Sequence, residues 1–336
     1  MSSRVTLLGL SLVFLACLLA KSDSTTSTNR GLLVVANQKE HTVLIVDADS
    51  RRELSKIVVG INGHEVTVSK DSRLAFVPIY GNSAVGKPGT DGTSIDVIDL
   101  RQRKLISTIE LGKPLRPHLA RFGPNGLLYV TAELANAIEV LEPDSRKVLA
   151  EIPTGQPESH MLVLSPDGHR AYTANVSAGS VSVLDLTSRQ LVTTIPVAKR
   201  VQRISISVDG ARVFTHDQDT ARIAVIDTAT NTIVSWIPLP DYAYASTPTP
   251  DGRWLLAVLP RGNRLVAVDL QTLKVAKFFD TPAQPGEVLV RPDGGVAFIT
   301  CMPAGKIAVL DLRTWTLQPS IDLTPGVDGM AWAATD

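Results

Sequence analysis

One phrase recurs down this chain at a fixed step, and it limits the fold more than any other feature. It stands at Ser165–Asn175 as SPDGHRAYTAN and returns as SVDGARVFT, TPDGRWLLA and RPDGGVAFIT. Its aspartates, Asp167, Asp209, Asp251 and Asp293, lie 42 residues apart. Looser copies surround Asp71 (SKDSRLAFV) and Asn125 (GPNGLLYVT), 54 apart, which is one repeat carrying an insertion of 12. Self-similarity at this period signals stacked supersecondary units that bury their faces only against one another.

A second phrase follows the first in every unit. TVLIVDA, SIDVIDL, AIEVLEP, SVSVLDL, RIAVIDT, RLVAVDL and KIAVLDL are seven β-branched runs ending in an acid. The acids are Asp47, Asp99, Glu142, Asp185, Asp227, Asp269 and Asp311. An Asp after a strand closes a tight turn through its own side chain, so these read as turn residues rather than catalysts. A third run (LVTTIPV, TIVSWIP, KVAKFFD) and a fourth (HMLVLS, RISIS, GEVLV) complete each unit. Four short strands per unit and seven units predict an all-β, seven-bladed propeller of four-stranded blades. The domain begins near Leu32 with a second strand and ends with an isolated first strand, Gly329–Ala334. The C-terminal strand should therefore join the N-terminal blade and close the ring, leaving no long open edge.

The ends and the composition set the context. Residues 5–20 (VTLLGLSLVFLACLLA) are almost wholly apolar behind Arg4, which reads as a signal peptide over 1–20. Residues 21–30 (KSDSTTSTNR) form a flexible polar linker, and 31–336 the propeller. The expected location is periplasmic or extracellular. Phe14-Leu15-Ala16-Cys17 resembles a lipoprotein box, imperfectly, which leaves a lipid anchor at Cys17 as an alternative to a soluble product. Cys301, at the end of an apolar run, reads as a small core residue. The net charge of +0 argues against bulk nucleic-acid binding.

The phrases LYVTAE (Leu128–Glu133) and RAYTANVSAGSVSVLDL (Arg170–Leu186) resemble the YVTN repeat. With the apolar leader, the chain is similar to the YncE-like, YVTN-repeat family of exported bacterial propellers over residues 31–334. The resemblance implies the fold but not one function, since that family and related propellers include lactonases, amine dehydrogenase subunits and a haem-carrying nitrite reductase domain. The chain has no Cys-x-x-Cys-His, no glycine-rich phosphate loop and no His-Glu-x-x-His.

Reading one column of the repeat, five residues before the Ser-Pro-Asp-Gly phrase, gives His64, His118, His160, Gln202, Tyr244, Gly286 and Asp328. This column opens each innermost strand and should ring one mouth of the central channel. Three of the six histidines fall on it in consecutive blades. Three imidazoles in one funnel suit a single transition-metal ion such as Zn, Cu, Fe or Ni, or alternatively hydrogen-bond neighbouring loops and seal the channel. Two residues earlier stand Asn62, Arg116, Glu158, Arg200, Tyr242 and Gln284, with Lys113 and Lys199 close by. That makes the mouth over blades two to four polar and locally basic, suited to clamping a carboxylate or phosphate. The insertion, in YGNSAVGKPGTDGTS (Tyr80–Ser94), belongs on the same face and could act as a lid or a contacting arm.

Three functions fit these features. The first is a non-enzymatic binding or scaffold module presenting the mouth to a protein or small anionic ligand through Arg116, Glu158, Arg200, Gln202, Tyr242, Tyr244 and Asp328. The second is a lactonase-like, metal-assisted hydrolase with the ion on His64, His118 and His160 and Glu158 as base. The third, implied only by the resemblance, is an accessory subunit of an exported redox enzyme. The absence of a recognised catalytic motif favours the first.

Overall fold

The computed structural model describes residues 30–335. The proposed signal peptide, most of the linker and Cys17 lie outside the described residues. Within them stand 28 strands in seven four-stranded antiparallel sheets, and one short 3-10 turn. The chain is a seven-bladed β-propeller. Blade 1 combines residues 31–58 with the C-terminal strand Val327–Ala334, and blades 2 to 7 cover 67–110, 117–153, 159–196, 204–238, 246–280 and 285–322 in turn.

The turn acids do the work their spacing suggests. Asp47 Oδ1 accepts from the Ser50 N–H and Asp99 Oδ1 from the Gln102 N–H, both at 2.7 Å. Asp185, Asp227, Asp269 and Asp311 repeat the pattern. At the other turn of each blade, Ser165, Ser207 and Thr249 donate their hydroxyls to Asp167, Asp209 and Asp251. Both turn types leave strands on one face of the ring. The loops that precede the innermost strands, together with the insertion, occupy the opposite face.

The middle strands carry the core. Leu33 to Ala36 and Val43 to Val46 are fully buried, and the same holds for the matching runs in the other blades. Apolar clusters span neighbouring sheets, so each blade is stable only between its neighbours. Cys301 is one of these core residues, as its setting suggests.

Ring closure follows the predicted register. Val327–Ala334 pairs antiparallel with Gly31–Asn37, matching Gly31 with Ala334 and Val35 with Met330. On its other side the strand meets blade 2, where the Gly329 N–H donates to the His64 carbonyl at 2.9 Å. A Cβ at Gly329 would fall 2.5 Å from that same oxygen, so only glycine lets the closing strand approach. Trp332 stacks on Phe298 of blade 7, with ring centroids 6.1 Å apart. A chain ending at Pro325 would expose the Leu33 and Val35 face and an unpaired strand edge. Such a chain is expected to aggregate and lose its cooperative thermal transition; a sharp, monomeric transition at the full-length temperature would contradict this closure.

Candidate functional site

The column of first residues is brought together at the mouth as its spacing implies. His64, His118 and His160 stand side by side, each at most 8% exposed. His64 Nε2 lies 2.7 Å from His118 Nε2, and the His118 and His160 rings pack with centroids 3.5 Å apart. Tyr80 packs edge-on against all three.

Hydrogen-bond partners assign the tautomers. His64 Nδ1 faces the Asn62 carbonyl oxygen at 3.1 Å, which can only accept, so the proton sits on Nδ1. His64 Nε2 is then a lone pair, and His118 Nε2 is the donor between them. That leaves His118 Nδ1 as a bare acceptor, and it is buried without a partner. His160 donates from Nδ1 to the Glu133 carboxylate and accepts at Nε2 from the Gln202 amide at 3.1 Å. Burial lowers the pKa of His64 and lowers that of His118 further, with the neighbouring histidines adding to the effect, so these two imidazoles stay neutral.

This arrangement bears on the proposed metal centre. Ligand nitrogens 2.0–2.1 Å from a tetrahedral ion lie about 3.3 Å apart, farther than the 2.7 Å between His64 and His118. The inward lone pairs of His64 and His160 are already taken by His118 and Gln202. Among the described residues, no group of three His, Cys, Asp or Glu is disposed to hold a metal ion.

Glu133 is the hub of the mouth. It is 2% exposed, receives His160 and the Tyr80 hydroxyl (2.8 Å), and has Arg116 Nη1 at 3.8 Å. Burial, with the Glu133 charge beside it, raises the Tyr80 phenol well above its usual range. Arg116 takes a different role from the clamp its position suggests. It is 6% exposed, and Nε and Nη2 both donate to Asp91 Oδ1, at 2.9 and 2.7 Å. Its remaining donors reach the Ala84 and Lys87 carbonyls. Arg116 therefore pins the insertion across the mouth and offers nothing to a ligand. Glu158 is half-buried and turned to the same loop, its Oε1 3.5 Å from where a Gly86 Cβ would stand.

Free cations lie instead over blades 5 and 6. Arg200 and Lys199 are exposed, as is Arg261, whose guanidinium sits 5.2 Å from the Tyr242 ring centre. Burial pushes the Tyr242 phenol up to about 12, opposed by the nearby charges of Arg261, Arg203 and Arg200. The Tyr242 hydroxyl has one long bond, 3.5 Å to Gln218 Oε1.

Below the histidines, the next residue of each innermost strand builds an ionic plug that the column reading passed over. Arg203, 3% exposed, meets Glu65 at 2.5 Å and Asp328 at 3.9 Å, with its guanidinium 5.0 Å from the Tyr244 ring. Glu287 accepts from the Met330 N–H at 3.1 Å. Burial raises the Asp328 carboxyl to about 7 and, with Glu65 beside it, Glu287 to about 8. Tyr244 and Asp328 are thus parts of the channel wall, and Gln202 is a partner of His160. Advancing the column by one residue gives Glu65, Leu119, Met161, Arg203, Ala245, Glu287 and Gly329, where three charges stand out among small and apolar residues.

No family model matches the chain, and no curated protein does. Solved structures do. The chain is similar to Kuenenia stuttgartiensis hydrazine synthase (TM-score 0.72, 19% identity, covering 82% of this chain and 90% of that one). It is similar to the dihydro-haem d1 dehydrogenase NirN (TM-score 0.65, 16% identity, 89% and 74%). A functionally unknown protein from Desulfotomaculum acetoxidans gives a TM-score of 0.74 at 13% identity, over 91% and 99%. At these identities the likeness is one of fold.

Glu133→Gln removes the charge that His160 and Arg116 face. The variant is expected to lose about 3 kcal/mol of stability, the scale of breaking a buried ion pair. It is also expected to be cut faster by protease within residues 82–90. Unchanged stability and unchanged cleavage in that loop would refute the hub.

Proposed function

We propose that this chain is an exported binding module of the YVTN-repeat kind, and not an enzyme, that takes a small carboxylate- or phosphate-bearing ligand on its mouth face. The observation that carries this reading is the pair of exposed guanidinium groups, Arg200 and Arg261, beside the under-used hydroxyl of Tyr242. Among the described residues neither forms an ion pair with a carboxylate; the nearby Asp241 caps the Tyr242 N–H at 2.7 Å. Two planar forks and a phenol hydroxyl supply donors suited to a planar or tetrahedral anion. Lys199 adds positive field at the same rim.

The metal-assisted hydrolase has less support, because the lone pairs of His64 and His160 are spent on His118 and Gln202, which leaves one free imidazole nitrogen, His118 Nδ1, and because Glu158 faces the insertion. The redox-accessory reading rests on neighbours that share the fold at 13–19% identity, and no mouth residue carries a redox role over to this chain.

Titration calorimetry with inorganic phosphate and with citrate tests the proposal. One of these is expected to bind with an affinity that falls as salt rises. The Arg200→Ala/Arg261→Ala double variant should weaken it at least tenfold without moving the melting temperature, since both side chains are exposed. Absence of binding by either anion, or equal binding by the double variant, would sink the proposal.

A further inference from the structure

In a repeat protein the shared residues build the blade, so residues that break the pattern and meet in space point to a separate purpose. Four such departures meet between blades 6 and 7, on the face of the tight turns. Counting ten residues past the turn acid gives Ile57, Ile109, Ile152, Ile195, Ile237 and Ile321 in six blades, and Phe279 in blade 6. Eight past it gives Ser55, Ser107, Ala150, Thr193, Ser235 and Pro319, against Lys277. Three past the Asp-Gly aspartate gives Leu74, Arg170, Arg212 and Val296, against Trp254.

The fourth departure is strained. Four past the turn acid, every blade turns through a left-handed residue: Arg51, Arg103, Arg146, Arg189, Asn231, Leu273 and Trp315, with φ between 54° and 59°. A bulky aromatic there is conformationally costly, and Asn is a far better fit. Trp315 nevertheless holds φ 58° and leans over the crevice.

These side chains form an aromatic corner. Trp315 meets Trp254 at 5.2 Å with planes 71° apart, and stacks on Phe279 at 5.9 Å. Lys277 Nζ lies 4.9 Å from the Trp315 ring centre and 5.6 Å from that of Trp254, and among the described residues it forms no ion pair. Arg253 sits 5.1 Å from the Trp254 ring centre. The crevice has a volume of about 510 Å³, within the range of small-ligand sites.

From these we propose that the crevice between blades 6 and 7 is a saccharide site, and that its ligand is a uronate-bearing oligosaccharide. Two rings at 71° make an angled wall rather than a slot between parallel planes, which suits a puckered sugar ring better than a flat base. Lys277 and Arg253 stand over the indoles and supply donors for a sugar carboxylate; Arg253 also faces Asp269 at 3.8 Å, and the two carboxylates that line the crevice, Asp251 and Asp293, are engaged by the Thr249 hydroxyl and the Arg291 guanidinium. The site is on the face opposite the mouth and stands independently of the mouth's anion proposal.

The test is titration of the purified chain with an oligogalacturonate, read by calorimetry and by indole fluorescence, with a neutral gluco-oligosaccharide and AMP as controls. The oligogalacturonate should bind and quench the indole emission. Trp315→Asn, which installs the residue of the blade 5 turn, should bind at least tenfold more weakly while its melting temperature holds or rises. Lys277→Ser, the residue of three other blades, should lose the preference for the acidic over the neutral sugar. No oligogalacturonate binding, equal binding by Trp315→Asn, or binding of the neutral sugar or AMP at least as tight as that of the uronate would overturn the proposal.

Discussion

The ring depends on how its last strand is held. Val327–Ala334 completes blade 1, and its first residues also line the channel. There Asp328 faces the Arg203 guanidinium, which Glu65 holds from across the channel, and the Met330 N–H is received by Glu287 of blade 7. Blades 1, 2, 5 and 7 are thus tied by one guanidinium and three carboxyls. Full ionisation would leave a net negative charge in a largely buried site, where Glu65, Arg203 and Asp328 are at most 4% exposed and Glu287 is partly buried. Holding protons on Asp328 and Glu287 near neutrality resolves this, and their raised pKa values express it.

The mouth applies the same rule to a larger set of groups. Buried polar side chains are tolerated where each finds a partner: His64 and His118 form one hydrogen-bonded pair, His160, Gln202, Glu133, Tyr80, Arg116 and Asp91 form a second set, and the two meet where the His118 and His160 rings pack. The insertion is drawn into the second set through Asp91. It is therefore part of the mouth's wall, and the exposed cations, Arg200 and Arg261, lie beyond it over blades 5 and 6. His118 Nδ1, buried and unpartnered, marks where the network is incomplete.

The blades, their number and the closing strand were legible because the repeat states them seven times over. The three histidines were legible as neighbours because they share a column. What they do was not, since a tautomer depends on partners such as the Asn62 carbonyl that no column reveals. Arg116 was misjudged as a free clamp because its partner, Asp91, belongs to the insertion, which has no counterpart in the other blades. Glu133 opens a loop where the other blades place Gln38, Val176, Gln218, Pro260 and Met302, and nothing local distinguishes it from a solvated loop acid. Arg261 likewise lies in a loop outside the repeated phrases. The plug was readable in principle, one residue further along the same column, as was the run of departures that converges on Trp315.

The most direct test of closure by a protonated ionic plug is urea stability of the chain and its Glu287→Gln variant between pH 5 and 9. An acid whose folded pKa lies above its unfolded value keeps a proton that the unfolded chain has released. Stability then falls as pH rises between the two values and levels above the upper one. For Glu287 that window runs from its ordinary 4.5 to about 8. Below pH 7 the buried histidines oppose this trend, because their lowered pKa values favour the folded state as the unfolded imidazoles lose protons. The clean reading is therefore the difference between the two chains. The account predicts that the variant gains stability relative to the parent steadily from pH 5 to 8 and that the difference is constant above. A difference that does not change with pH would contradict it.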